Sequence, residues 1–293
     1  MHFLLFAVIC SVLVSVLLKL APRRDIDVFQ AITWNYATAS VLAVGLLEPS
    51  FASLHAPGTP WLALLGLAVA LPGIFLVLAR SVRVAGIVRT DVAQRLSLLL
   101  SLAAAFTVFG EHAGVWKLAG LGIGVLAIVG IVQRPRAAPA VAPVSEPLVQ
   151  ARAWPWLLGV WAGFALIDVL LKTIALSGTP SLTALTLCFA LAFALLLCAQ
   201  VLRVRRGHRL HLPSIAAGLL LGVLNFGNIL FYVRAHQHLA HSPATVFAAM
   251  NIGVVVLGAL VGMLGFGERT TRWTRVGLAL AVVAIAVIAW GSR

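Results

Sequence analysis

The sequence predicts an all-α, polytopic membrane protein of ten transmembrane helices arranged as two inverted five-helix repeats. Three observations carry that expectation. First, 62% of the 293 residues are hydrophobic, only 10% are charged, and mean hydropathy is +1.07, whereas soluble domains carry about 25% charged residues. The apolar residues fall in runs close to 20, the length that spans a bilayer as a helix. Second, the stretch from Phe109 to Ile131 recurs at a fixed offset of 157, with ten identities over 23 positions and no gap. Third, a proline-rich stretch divides the runs into two sets of five.

In chain order the expected spans are roughly 2–19, 28–47, 60–79, 87–109, 115–132, 154–175, 181–202, 213–234, 242–266 and 272–290. The first run, Phe3–Leu18, has no basic residue ahead of it and no Ala-x-Ala exit, so it reads as a span rather than a signal peptide. Between spans five and six, prolines at 135, 139, 143 and 147 block helix and favour an extended linker. The expected division is therefore a first repeat over 1–133, a Pro/Ala-rich linker over 134–153, and a second repeat over 154–293.

In the duplicated stretch, Phe109-Gly110-Glu111, Trp116 and Gly120 answer to Phe266-Gly267-Glu268, Trp273 and Gly277. The repeats also match near their starts: Val16-Leu17-Leu18-Lys19 resembles Val169-Leu170-Leu171-Lys172, and Arg80 corresponds to Arg234. Five crossings is an odd number, so two copies in tandem enter the bilayer with opposite orientation. Inverted repeats of this kind build alternating-access carriers with a site between the halves near midplane.

A duplicated five-span unit whose fourth span closes with Gly-Glu, followed by a Trp, a Gly and a fifth span rich in small residues, resembles the EamA-type drug/metabolite transporter superfamily. The likeness takes in both repeats. It implies ten helices, a central cavity lined mainly by spans 1–4 and 6–9, and spans five and ten at the ends supporting each half. It also implies transport without ATP or another cofactor. The superfamily handles amino acids, sugars, nucleotide sugars and drugs, so it does not supply a substrate.

Lysine and arginine set the expected orientation. Loops after odd-numbered spans hold fifteen of them, from Lys19, Arg23 and Arg24 through Arg203, Arg205 and Arg206 to Arg275; loops after even-numbered spans and the C-terminus hold four, Lys117, Lys172, Arg234 and Arg293. The excess places the odd loops in the cytoplasm and both termini outside. The net charge of +13 is scattered between apolar runs and builds no continuous basic face, which argues against a nucleic-acid partner. The loop charges suit lipid head groups instead. Cys10, Cys188 and Cys198 all lie in apolar runs and read as membrane-buried thiols.

Ionisable and amide side chains inside spans cost roughly 2.5–3.5 kcal/mol each when charged at the helix centre, so they mark the candidate pathway. Asp168 is the deepest acid, and Lys172 follows it at i, i+4. The Asp168 carboxylate is a candidate for proton coupling or for balancing a charge on the solute; the plainer alternative is that the two residues neutralise one another. Span four carries Arg89, Asp91, Gln94 and Arg95, and at offset 157 Gln94 answers to Asn251. Asn225, Asn228 and Tyr232 form one helical stripe on span eight, serving either as interhelical bonds or as contacts for a solute. Gln30, Thr33, Trp34 and Asn35 open span two with the same two readings. The expected substrate pathway is therefore Gln94, Arg95, Asp168, Asn225, Asn228, Tyr232 and Asn251, with Gln30 and Lys172.

Glu111 and Glu268 are expected to cap the helix that follows each, or to pair with an arginine such as Arg269. Gly258-x-x-x-Gly262 and Gly120-x-Gly122-x-Gly124 read as close helix packing, since no strand precedes the latter as a nucleotide loop requires. His236, His238 and His241 cluster in a turn, and a solvated turn is the default there over a metal site. No hydrolase, zincin or Walker motif is present, so neither enzyme nor metal nor cofactor is expected. The functional expectation is a secondary transporter for a small polar or anionic metabolite at the cytoplasmic membrane. The rival is a lipid-linked-sugar flippase or a membrane-embedded accessory protein.

Overall fold

A computed structural model describes residues 2–51, 54, 58–107, 114–132, 153–238, 243–268 and 270–291. The linker expected over 134–153 lies outside these residues except for Ala153, as do Glu111, His241 and Arg269. Among the described residues there are ten α-helices and no strand: α1 His2–Leu20, α2 Val28–Leu47, α3 Trp61–Ala85, α4 Ile87–Thr107, α5 Val115–Val132, α6 Ala153–Leu176, α7 Ser181–Arg205, α8 Leu212–His238, α9 Pro243–Leu260 and α10 Arg272–Trp290. The expected spans agree with these bounds to within a few residues at most ends. A short 3₁₀ turn, Ala21–Arg24, follows α1, and α9 runs on into a π-helical turn, Val261–Gly265.

Six stretches are long and apolar enough to cross a membrane by length and composition alone. They are α1 with its 3₁₀ turn, α3, α6, α7, most of α8, and α10. Helix α4 falls short because Arg89, Asp91 and Arg95 break its apolar run, and the polar residues at the start of α2 lower its hydropathy. These shortfalls matter. A helix with charges at bilayer depth must turn them onto other helices, and α4 accordingly packs against α3, α5, α6, α9 and α10.

Helix contacts follow a two-fold pattern that exchanges the halves. The pair α3·α6 is matched by α8·α1, α4·α6 by α9·α1, α2·α8 by α7·α3, and α4·α5 by α9·α10. The self-matched pairs α2·α7, α4·α9 and α5·α10 are all present. Each half contributes an odd number of crossings, so the two run in opposite senses through the bilayer. Large apolar side chains such as Leu62, Val69, Leu212 and Leu264 stay exposed on the outer surface, where acyl chains replace water as the solvent.

Small residues set the closest approaches. A Cβ at Gly120 of α5 would overlap Ile288 and crowd the Ala284 carbonyl of α10, and one at Gly124 would meet Leu99 of α4 at 2.5 Å, while Gly122 faces open space. Helices α5 and α10 therefore lie against each other, whereas the expectation had each supporting its own half from one end. On the other side, Gly218 and Gly222 of α8 sit against the backbone of Ala31 and Asn35 in α2. Tyr36, buried between Phe75 of α3 and Phe189 of α7, anchors the largest apolar cluster.

Candidate functional site

Polar side chains from several helices converge on α4. Arg95 donates from Nη2 to Ser11 Oγ of α1 at 2.9 Å and from Nη1 to Asn251 Oδ1 of α9 at 3.3 Å. Its Nε is buried with no partner among the described residues. One turn earlier, Asp91 accepts from Ser15 Oγ of α1 at 2.9 Å. Asp168 of α6 accepts from Ser101 Oγ of α4 at 2.7 Å. Arg95, Asp91, Asp168 and Tyr232 of α8 all lie within electrostatic reach of one another through the guanidinium. Five helices from both halves thus meet around a single cation.

Asp168 is solvent-accessible, and its position on α6 decides what that means. Leu158 and Leu166 mark the lipid-facing stripe of this helix. Asp168 lies instead two turns beyond Trp161, on the same face, and Trp161 donates Nε1–H to the Leu96 carbonyl of α4 at 2.8 Å. Both residues therefore point to α4, and the Asp168 carboxylate sits at the contact between α4 and α6. Asn228 of α8 adds a buried Oδ1 with no partner among the described residues.

Of the sequence-predicted pathway, the structure brings Arg95, Asp168, Tyr232 and Asn251 into one cluster. Asn225 and Asn228 share the half-buried stripe of α8 with Tyr232. Gln94 is half-buried beside Arg95, and Asn251, its equivalent in the second repeat, bonds the arginine. Lys172 is half-buried one turn along from Asp168. Gln30 has a different place: it is fully buried, and its Oε1 accepts from the His211 amide at 3.2 Å, tying the first turn of α2 to the α7–α8 loop. Serines 11, 15 and 101 were not among the predicted site residues. Their signal was available, because Ser11 and Ser15 are i, i+4 on α1 and Ser15 precedes the Val-Leu-Leu-Lys match just as Asp168 does.

Glu268 corrects an expectation. It caps α4, from the other half of the chain, and not the helix that follows it. Its Oε1 accepts from the Ile87 amide at 2.7 Å and its Oε2 from the Val88 amide at 3.1 Å, and Lys19 of α1 is its salt-bridge partner. Carboxylate at a helix N-terminus satisfies free amides and complements the helix dipole. Gly86 makes the approach possible, because it holds φ at 87° and any Cβ there would meet the carboxylate at 2.7 Å. Helix α10 is capped locally, by Thr271 Oγ1 accepting from the Thr274 amide at 3.0 Å.

A second tie joins the halves among the same odd-numbered loops. Asp27 caps α2 by accepting from the Phe29 amide at 2.9 Å and the Gln30 amide at 3.3 Å, and it receives Arg203 of α7 at 2.7 Å. Burial works against its charge, but the Arg203 hydrogen bond and the two amides outweigh that and hold the carboxyl below its usual value. Its own backbone amide donates to Ser214 Oγ of α8 at 2.9 Å. A cavity of about 360 Å³ beside this tie, between α2 and α7, is lined half by aliphatic residues and half by Thr33, Trp34, Gln200 and Arg205, and it shares no residue with the Arg95 cluster.

Comparison with known proteins agrees with this architecture. Residues 1–133 match the model of the EamA-like transporter family. An uncharacterized protein of Haemophilus influenzae is 38% identical over 292 residues, covering 97% of this chain and 96% of that protein. A crystal structure covering 98% of this chain and 96% of its own superposes with a TM-score of 0.56 at 18% identity, a likeness of fold. Residues 1–133, which hold the first five helices, belong to the EamA-like transporter family of membrane proteins, and the helix contacts repeat that five-helix unit in the second half of the chain.

Proposed function

We propose that the protein is a secondary transporter that moves a small polar or anionic metabolite across the cytoplasmic membrane by alternating access. The observation that carries this reading is Arg95, a cation at bilayer depth bonded to two neutral oxygens and keeping one buried nitrogen unpartnered. A guanidinium so placed is prepared for a carboxylate or similar acceptor. Asp168 and Tyr232 lie within range to hold a positive or hydroxyl-bearing part of the solute, and Asn228 offers an acceptor. Gln94, Asn225 and Lys172 border the pathway.

The two repeats, 1–133 and 154–293, rock about the shared site, joined by the segment 134–153. In the conformation described the odd-numbered loops are held together by the Glu268 cap and the Asp27–Arg203 tie. By the distribution of Lys and Arg that face is cytoplasmic, with both termini outside. No enzymatic step is invoked.

The test is uptake by purified protein in liposomes, screening water-soluble carboxylates, sugars and lipid-linked sugars with and without a pH gradient. A carboxylate solute is expected to be carried, and Arg95→Ala to weaken its binding about 10- to 100-fold, the worth of a charge-assisted hydrogen bond of about 1.5–3 kcal/mol. Unchanged uptake by a folded Arg95→Ala protein defeats the reading. Movement of lipid-linked sugars alone favours the flippase alternative.

A further inference from the structure

Asp91 is the carboxylate that the Arg95 reading leaves unused, and its surroundings do not suit an anion. It is 2% exposed, the most enclosed acid among the described residues. Oδ1 accepts from Ser15, while Oδ2 is buried with no partner among those residues. Oδ2 abuts Gly258 of α9 so closely that any Cβ at that position would overlap it. An ionised carboxylate taken out of water with one oxygen unsatisfied carries a penalty of several kcal/mol, and a neutral hydroxyl carries much less.

The charges nearby do not remove that penalty. Two charged groups act on Asp91: Arg95, one turn along the same helix, and Glu268, a carboxylate beyond the end of α9. Arg95 also faces Asp168 of α6, so one guanidinium is shared between two carboxyls. Lys19 of α1 is committed to Glu268. Helix α3 presents Ser81 to α4, bonded to Thr90, and α5 and α10 meet α4 through aliphatic residues such as Ala127 and Ile288. Asp91 is left with a shared cation and a like charge.

We infer that Asp91 is a proton-binding site: in this conformation its carboxyl is neutral, with the proton on Oδ2 beside Gly258 while Oδ1 accepts from Ser15. The O–H bond forms with a proton taken from water and breaks, returning the proton to water, when the α4–α9 contact opens. This places the titrating group on Asp91 rather than on Asp168. The protonation stands on geometry alone, and its use to drive transport rests on the Arg95 reading.

The proton is its own probe, so the experiment needs no solute. Full-length protein in phosphatidylcholine vesicles is titrated from acid to alkaline pH by infrared difference spectroscopy, reading the C=O stretch that only a protonated carboxyl shows. A band of one carboxyl is expected to persist at neutral pH in the native protein, to disappear in Asp91→Asn and to survive in Asp168→Asn. Ser15→Ala, which keeps the carboxyl and removes its donor, is expected to shift the band to higher frequency. No band at neutral pH in the native protein, its survival in Asp91→Asn, its loss in Asp168→Asn, or an unshifted band in Ser15→Ala overturns the assignment. Because none of these readings involves uptake, their failure leaves the transport proposal standing, and the converse also holds.

Discussion

Replacing Glu268 by alanine tests the contact that joins the end of the ninth helix to the start of the fourth. The change removes the acceptors of two α4 amides, at 2.7 and 3.1 Å, together with the partner of Lys19. Loss of an N-terminal cap costs about 1 kcal/mol and up to about 2. Breaking a fully buried ion pair costs about 3–5 kcal/mol, but these side chains keep 14% and 16% of their exposure, so about 1–2 kcal/mol is the fitting share. The sum, about 2–4 kcal/mol, corresponds to a roughly 30- to 1,000-fold increase in local opening. Hydrogen exchange of the peptide spanning 86–91, in detergent or nanodiscs, reads it directly, since Ile87 and Val88 lose their acceptors. Lys19→Met serves as the control: it drops the ion pair but leaves the cap, and exchange of the two amides is expected to rise far less. Unaltered exchange in Glu268→Ala, or an equal effect from Lys19→Met, would refute the capping argument.

Three further outcomes follow from the same geometry. Gly120→Val should push α10 away from α5 and lower stability by about 1–3 kcal/mol, the usual cost of overpacking, while Gly122→Ala, which faces open space, should leave thermal unfolding in detergent unchanged. Because the Asp27 carboxyl is held below its usual value of 3.8, its tie to Arg203 contributes in full above that value and is lost as pH falls through the lower folded value; Arg203→Met should erase the part of acid sensitivity that Asp27→Asn erases, as read by unfolding at stepped pH. Gly258→Ala should strike the Asp91 carboxylate, so in a double-mutant cycle with Asp91→Ala the two changes should couple by about 0.5–3 kcal/mol; additive costs would place Oδ2 elsewhere.

Helix number and most boundaries were legible because apolar runs of bilayer length and their polar breaks depend on local composition. Arg95 and Asp168 were legible for the same reason: a charge inside such a run must face protein or water. Partners were harder. The i, i+4 spacing of Asp168 with Lys172 points only along its own helix, whereas Asp91 bonds Ser15 and Asp168 bonds Ser101, each on another helix. Serine within an apolar run costs little and so stands out little. Glu268 was assigned to the wrong helix because a cap is recognised in sequence by nearness along the chain, and here 180 or more positions separate it from the amides it satisfies. Gln30 carried the same composition signal as the central amides, yet its burial serves a loop amide at the membrane face.

The frame is symmetric and its chemistry is not. At offset 157, Asp91 and Arg95 of α4 answer to Ala248 and Ile252 of α9, and Ser101 answers to Gly258. The first repeat's fourth helix therefore carries the cation, the buried acid and the serine, while its mate supplies small and aliphatic residues that let it come close. The flanking helices respond in kind. Ser15 of α1 and Asp168 of α6 occupy equivalent positions, each four residues before the repeated lysine, and each bonds to α4, one as donor to a carboxylate and the other as acceptor from a hydroxyl. A site loaded on one member of a symmetric pair presents different groups on its α1 side and its α6 side. Under the transport function proposed above, a solute bound there has one preferred orientation, so two nearly equivalent halves build a single binding mode, with duplication supplying the motion and divergence along α4 the recognition.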